Sequence, residues 1–339
     1  MRKDAIFYVE HNSQVLAGNF FDDPCQRVFP VYLPPDYDDN RSYPVLYQLS
    51  GWGSTGAGII ASKEPFAKSI PVLLDELIAQ NPKYACVVVF PDCSVKYGCS
   101  QYINSPVLGP YMDYVCDELV PFVAEHFSVS QLPVLRAVYG HSSGGFGAMV
   151  TGMLRPEVFG HVLSSAGDSH YQHLYACMIP TFIRTVEKYG SITKMIDAFL
   201  SKPNPMRDCS RDVGESVMLL NICQCFLPNR QAELGLDLFF DPYSGELIPD
   251  QWQNFLQWDP VYMVDRYEDA IKQLSSFSLF AGAQDEYGIH LGHRQISSKL
   301  TKKNIAHSFV EYQAGHSGIY YKMIDHTKHV LDQMPIVEA

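Results

Sequence analysis

The sequence predicts an α/β protein: a mostly parallel central sheet flanked by helices, with an inserted, mainly helical cap. Three observations carry this. From residue 45 to 166, apolar strands alternate with helical stretches, the pattern of a parallel sheet covered on both faces. A short apolar strand at 135–139 breaks at Gly140 and restarts as a helix full of small residues. Between about 170 and 256 the alternation lapses into loosely helical, turn-rich chain carrying Pro180, Pro203, Pro205, Pro228, Pro242 and Pro249, and then it resumes.

In chain order, 6–10 and 14–17 alternate like edge strands, with Asn12-Ser13 as the turn between them. Residues 27–33 read as a strand closed by Pro34-Pro35, and 43–50 as a mostly apolar strand suited to burial on both faces. That strand runs into Gly51-Trp52-Gly53-Ser54-Thr55-Gly56-Ala57-Gly58, a loop with more glycine than a plain connection needs. A helix over 70–79 with Pro71 near its start leads to a buried strand at 85–90. An amphipathic helix over 111–127 is expected to be kinked by Pro121. After the strand and helix around Gly140 comes a short strand at 161–165, ending in Ala166-Gly167-Asp168. Beyond the insertion, 276–281 is strand-like and ends in Gly282-Ala283-Gln284-Asp285-Glu286. A helix over 291–302 and a last strand at 307–312 lead to Gly315-His316-Ser317-Gly318. Ligands of such sheets sit beyond the carboxyl ends of the strands, which is where residues 50–53, Asp92, Ser142 and Asp168 fall.

At 339 residues the chain suits one large domain with an insertion, or two modest ones. We divide it as a core of 1–169 and 257–339 with a cap region of 170–256. The net charge of −12 argues against nucleic acid as a partner. The nine cysteines include no C-x-x-C pair, so neither a zinc knuckle nor a disulfide scaffold is indicated, and Cys86 in its apolar run reads as a core residue. Residues 1–8 lack the continuous apolar run of a secretory signal, and no window of about 18 apolar residues exists to span a membrane. A cytoplasmic location is the default expectation. Nothing sets the oligomeric state, and self-association stays open.

Gly140-His141-Ser142-Ser143-Gly144 fits G-x-S-x-G, the turn that lifts a nucleophilic serine to the top of a sheet with helix amides behind it. A serine hydroxyl is a weak nucleophile near neutral pH. It needs a base within hydrogen-bond reach and a group to orient that base. Ser142, Asp285 and His316 follow three successive strands in the order serine, acid, histidine, which is the α/β-hydrolase order. Other readings stay open at each position: Ser142 as a helix N-cap, Glu286 or Asp259 as the acid, and His141, His290 or His293 as the base. His141 adjoins the nucleophile, but its side chain should point away from the path of Ser142.

The oxyanion of a tetrahedral intermediate needs two amide donors. One is expected from Ser143 and the other from the early glycine-rich loop, with Trp52 preferred and Gly53 the alternative. Asp168 and Glu286 are expected near the mouth, where with Gly53 and His141 they could bind substrate and favour neutral or cationic groups. His290/His293 and His326/His329 have i, i+3 spacing without a carboxylate cluster and read as solvated helix faces, not as a metal site. No glycine-rich nucleotide motif appears, so no cofactor is expected.

The chain resembles the putative-esterase family of α/β hydrolases, which includes esterase D, the enterochelin esterases and feruloyl and acetylxylan esterases. The resemblance lies in residues 27–37 (RVFPVYLPPDY), 43–53 (YPVLYQLSGWG), 139–147 (YGHSSGGFG), 155–160, 165–168, 282–288 and 315–318. It covers about 14–169 and 257–333, and the segment between them matches nothing in it. The resemblance implies a Ser142–Asp285–His316 triad, an oxyanion hole at Trp52 and Ser143, and a small-molecule ester substrate. A cofactor-independent carboxylesterase working through an acyl-enzyme is the leading expectation. An acyltransferase, a thioesterase, or a catalytically silent binding protein are the alternatives.

Overall fold

The computed structural model describes residues 5–62 and 66–336. Residues 1–4, part of the N-terminal stretch read above, lie outside them, as do 63–65 and 337–339. Eight strands build the sheet: β1 (Ile6–Asn12), β2 (Gln26–Tyr32), β3 (Val45–Leu49), β4 (Val87–Val89), β5 (Arg136–His141), β6 (His161–Ser165), β7 (Ser276–Gly282) and β8 (Ser308–Tyr312). Their spatial order is β1-β2-β4-β3-β5-β6-β7-β8. β1, β2 and β4 pair antiparallel, and every neighbour from β4 onward pairs parallel.

The central strands are buried along their whole length, and alternate residues serve opposite faces. Val45, Tyr47 and Leu49 of β3 join one hydrophobic cluster, while Leu46 joins the other with Tyr139 and Leu163. Each such side chain stabilises the fold by about 1.5–3 kcal/mol on full burial. Helices cover both faces: α1 (Ile70–Gln80), α2 (Ser143–Leu154), α8 (Ile289–Lys302) and α9 (Met323–Gln333) among them. Between β6 and β7 lie α3 (Ile179–Tyr189), α4 (Ile192–Leu200), α5 (Arg211–Phe226), α6 (Pro249–Leu256) and α7 (Pro260–Arg266). The Phe226 ring of α5 stacks between Tyr171 and Trp258 and meets Phe146 of α2 at 5.4 Å. An aromatic joint therefore seats this segment on α2.

Two expectations need correction. Residues 14–17 form a turn, and β1 runs on through Asn12. Ser13 Oγ accepts from the Leu16 amide, and Glu118 takes the Gln14 and Val15 amides, so this backbone is satisfied without a strand partner. His293 and His326 are buried, not solvated. Each falls on the apolar stripe of its helix, with Ile289, Gly292, Ile296 and Leu300 in one case and Met323, Thr327, Val330 and Leu331 in the other. The helix expected over 111–127 forms despite Pro121, which follows a π-helical stretch, Tyr114–Leu119, where the Val120 amide reaches back to the Val115 carbonyl. Among the described residues, no helix is long and apolar enough to cross a membrane.

Candidate active site

The parallel register sets what meets at the carboxyl edge. Leu49 pairs with Gly140, and Ser165 with His141, so the loops after β3, β5 and β6 leave the sheet side by side. Ser142 occupies the turn between β5 and α2 with φ 58 and ψ −127, a strained conformation that aims its side chain out of the edge. The turn depends on close backbone approach. A Cβ on Gly140 would lie 2.5 Å from the Gly144 carbonyl carbon, and one on Gly144 would lie 2.2 Å from the Leu49 oxygen. Ser142 stands at the N-cap position of α2, but its side chain caps no amide among the described residues.

His316 follows β8, and its ring lies between the other two expected partners. Nε2 is 3.1 Å from Ser142 Oγ, and Nδ1 is 2.8 Å from Asp285 Oδ2. The Asp285 side chain is fully buried, and its Oδ1 accepts from the Tyr287 amide at 2.9 Å. The carboxylate is thereby held with one oxygen facing the ring. The rival acids do other work. Asp259 caps α7 and also takes the His170 and Tyr171 amides. Glu286 accepts from the His316 backbone amide at 2.7 Å, and a Cβ on Gly315 would collide with its carboxylate. Two of the rival bases have other partners. His141 turns towards Ser165 Oγ, 3.3 Å away, and packs its ring beside that of His316. His293 reaches the Gly167 carbonyl.

The glycine-rich loop passes close to the serine: a Cβ on Gly51 would lie 3.4 Å from Ser142 Cβ. Among the described residues, neither the Trp52 nor the Ser143 amide donates to a backbone carbonyl. Trp52 is fixed by its indole, which donates to Asn221 Oδ1 of α5 at 2.9 Å. Asn221 Oδ1 also takes the Cys99 amide at 2.9 Å. Gly53 has φ +71 and lies under Met206. Ser143 Oγ accepts from Gln101 Nε2 at 2.7 Å and donates to Asp168 Oδ2 at 3.1 Å, and Asp168 also takes the Tyr175 hydroxyl at 2.8 Å. Burial pushes the Asp168 carboxyl up, while Tyr175, His316 and Ser143 act the other way.

Two cavities share Trp52, Ser142 and His316. One, of about 380 Å³, extends past Ser50, Ser54, His141 and Tyr320. The other, of about 190 Å³, is walled by Leu174, Tyr175, Met218, Tyr287 and Ile289 with Asp168. A larger cavity of about 520 Å³ opens at the amino ends of β3 and β4 and holds no serine–histidine pair. Sequence reasoning missed Gln101, Tyr175, Met218 and Asn221. Gln101 and Tyr102 adopt left-handed conformations in a loop with no motif, and the others lie in the segment whose pattern had lapsed. The only hint lay in the small residue Gly147, against which the Tyr102 ring packs.

The family described as "Putative esterase" matches residues 24–323. The chain belongs to this family. S-formylglutathione hydrolase from Bos taurus is 29% identical over 151 residues, spanning 39% of this chain and 48% of the relative, so the chain spans about half the length of the curated relatives it matches. A ferulic acid esterase of solved structure is similar with a TM-score of 0.62 at 14% identity, covering 98% of each chain. S-formylglutathione hydrolase from Agrobacterium tumefaciens gives 0.59 at 17% identity, covering 99% of this chain and 98% of that one. At such identities the two structures show a shared α/β-hydrolase fold, and the family assignment rests on the long match.

Proposed function

We propose that this esterase-family chain hydrolyses a small-molecule carboxylic ester through an acyl-enzyme on Ser142. The observation that carries the reading is the His316 ring bridging Ser142 Oγ and the buried Asp285 carboxylate. His316 Nε2 takes the hydroxyl proton as Oγ bonds to the ester carbonyl carbon, and Asp285 holds the Nδ1 proton and stabilises the imidazolium. The carbonyl oxygen becomes an oxyanion held by the Trp52 and Ser143 amides. As the tetrahedral intermediate collapses, the bond to the alkoxy oxygen breaks and the imidazolium protonates the departing alcohol. Water, deprotonated by His316, then attacks the acyl carbon, releases the acid and returns the proton to Ser142.

Residues 170–256 act as the cap, because Leu174, Tyr175 and Met218 wall the smaller cavity and Asn221 holds Trp52. The relatives' names make S-formylglutathione and feruloyl esters the first substrates to try. A rapid-quench experiment with p-nitrophenyl acetate tests the reading. p-Nitrophenol should appear as a burst of one equivalent followed by steady turnover where deacylation is the slower step, and S142A should abolish both. Turnover that survives in S142A contradicts the assignment. A product that forms only with an added alcohol or thiol acceptor would mark a transferase.

A further inference from the structure

The smaller cavity contains a carboxylate that the proposed reaction does not use. Asp168 lies on the turn after β6, is only 5% exposed, and shares the cavity wall with Ser142 and Tyr175. Its Oδ2 is fully occupied. Gln101 already donates to Ser143 Oγ, so that hydroxyl must pass its own proton onward, and Asp168 Oδ2 receives it together with the Tyr175 hydroxyl proton. Support of Ser143 therefore explains Oδ2 and leaves Oδ1 unexplained. Among the described residues, no hydrogen bond reaches Oδ1, and no lysine or arginine pairs with the group or lines the cavity.

A buried carboxylate with one open oxygen and no counter-ion carries a desolvation cost that a bound donor would offset. Of the walls beyond the triad, Leu174, Met218 and Ile289 are apolar and Tyr287 is aromatic, and Asp168 is the one carboxylate that lines the cavity. Asp285 and Glu286, one behind and one beside His316, add negative charge near the same space.

We propose that Asp168 determines acyl specificity: its Oδ1 receives a hydroxyl or protonated amine carried at the end of a short acyl chain whose methylenes lie against Leu174, Met218 and Ile289. This rests on Ser142 being the acylated residue. The smaller, largely apolar cavity takes the acyl group. The larger one, with Ser50, Ser54 and Ser317 on its walls, takes the departing alcohol. Acyl groups ending in a carboxylate are excluded by charge.

The test uses the full chain and p-nitrophenyl esters of one acyl length ending in methyl, hydroxyl, ammonium or carboxylate. A fixed leaving group confines any difference to the acyl side. kcat/KM for the hydroxyl or the ammonium ester should exceed that for the methyl ester by about tenfold or more, and the carboxylate ester should be the poorest. Ratios within one enzyme cancel damage to the support of Ser143. In D168L both donor preferences should fall to about one, for lack of an acceptor. In D168N the single amide oxygen stays with the Ser143 and Tyr175 donors and its NH2 faces the cavity, so the ammonium preference should fall, while a hydroxyl, which can accept from that NH2, keeps its preference. The relative size of the two donor ratios identifies which donor the site takes. A wild-type ratio near one for both donors overturns the proposal, whether or not the variants fold, as does a donor preference that survives in D168L. Persistent turnover in S142A would instead remove the nucleophile assignment on which the proposal stands.

Discussion

At the scale of single residues, the proposed chemistry depends on how firmly one imidazole is held. Asp285 fixes His316 through a 2.8 Å hydrogen bond, and its other oxygen is tied to the Tyr287 amide. Asp285→Asn keeps the shape but presents an amide where a carboxylate accepted the Nδ1 proton. We expect kcat on p-nitrophenyl acetate to fall by about 10³- to 10⁴-fold with little change in KM, and the melting temperature shows whether the fold survives. A loss below tenfold would mean that Asp285 does not orient the base. Ser142, Asp285 and His316 were legible because each stands on a turn directly after an apolar strand, in an order that random serines and histidines rarely reproduce. Gln101, Tyr175 and Asn221 were not. A glutamine that steadies a hydroxyl, or an asparagine that holds an indole, has no periodicity, and its partner lies 42 to 169 residues away in the chain.

Among the elements, two joints govern the edge of the sheet. The first is the crossing of β3 by α2, where Gly144 lies against the Leu49 carbonyl. Gly144→Ala would force these backbones apart. Both the melting temperature and ester turnover should fall, and an unchanged melting temperature would mean that the joint has slack. The second is the link from α5 to the loop after β3. Asn221→Leu removes the acceptor shared by the Trp52 indole and the Cys99 amide. It should cost about 1–3 kcal/mol of stability by chemical denaturation and lower kcat/KM about 10- to 100-fold by releasing Trp52. Retained kcat/KM would separate the indole from oxyanion binding. The strand–helix alternation made the sheet readable, since buried parallel strands are continuous apolar runs. Residues 14–17 read as a strand because Val15-Leu16-Ala17 is a short apolar run, while in the fold Ser13 and Glu118 satisfy the backbone there instead.

For the whole molecule, the histidines expected on solvated faces make stability depend on pH. Burial lowers His293 to about 4 and His326 to about 3, and the neighbouring His329 and Lys322 also push His326 down. Both ring nitrogens of His326 are buried beside Phe280 and Tyr312, with no hydrogen-bond partner among the described residues. The unfolded chain protonates these rings near the ordinary histidine value of about 6.5, whereas the folded chain does so only near 4 and 3. Their stabilising contribution is complete above about 6.5 and declines as the pH falls towards those folded values. The melting temperature should drop on acidification through this window, and His326→Phe should flatten the slope. An equal slope in the variant would show that His326 charges freely in the folded state. Spacing alone could not reveal this, because i, i+3 places two histidines on one side of a helix without saying which side meets the sheet.

The most direct measurement is to treat the chain with an aryl fluorophosphonate and locate the adduct by peptide mass spectrometry. The account predicts one phosphonyl group per chain, on Ser142, absent from S142A and formed much more slowly by H316A. Labelling of another residue, or no labelling of a chain that still hydrolyses esters, would contradict it.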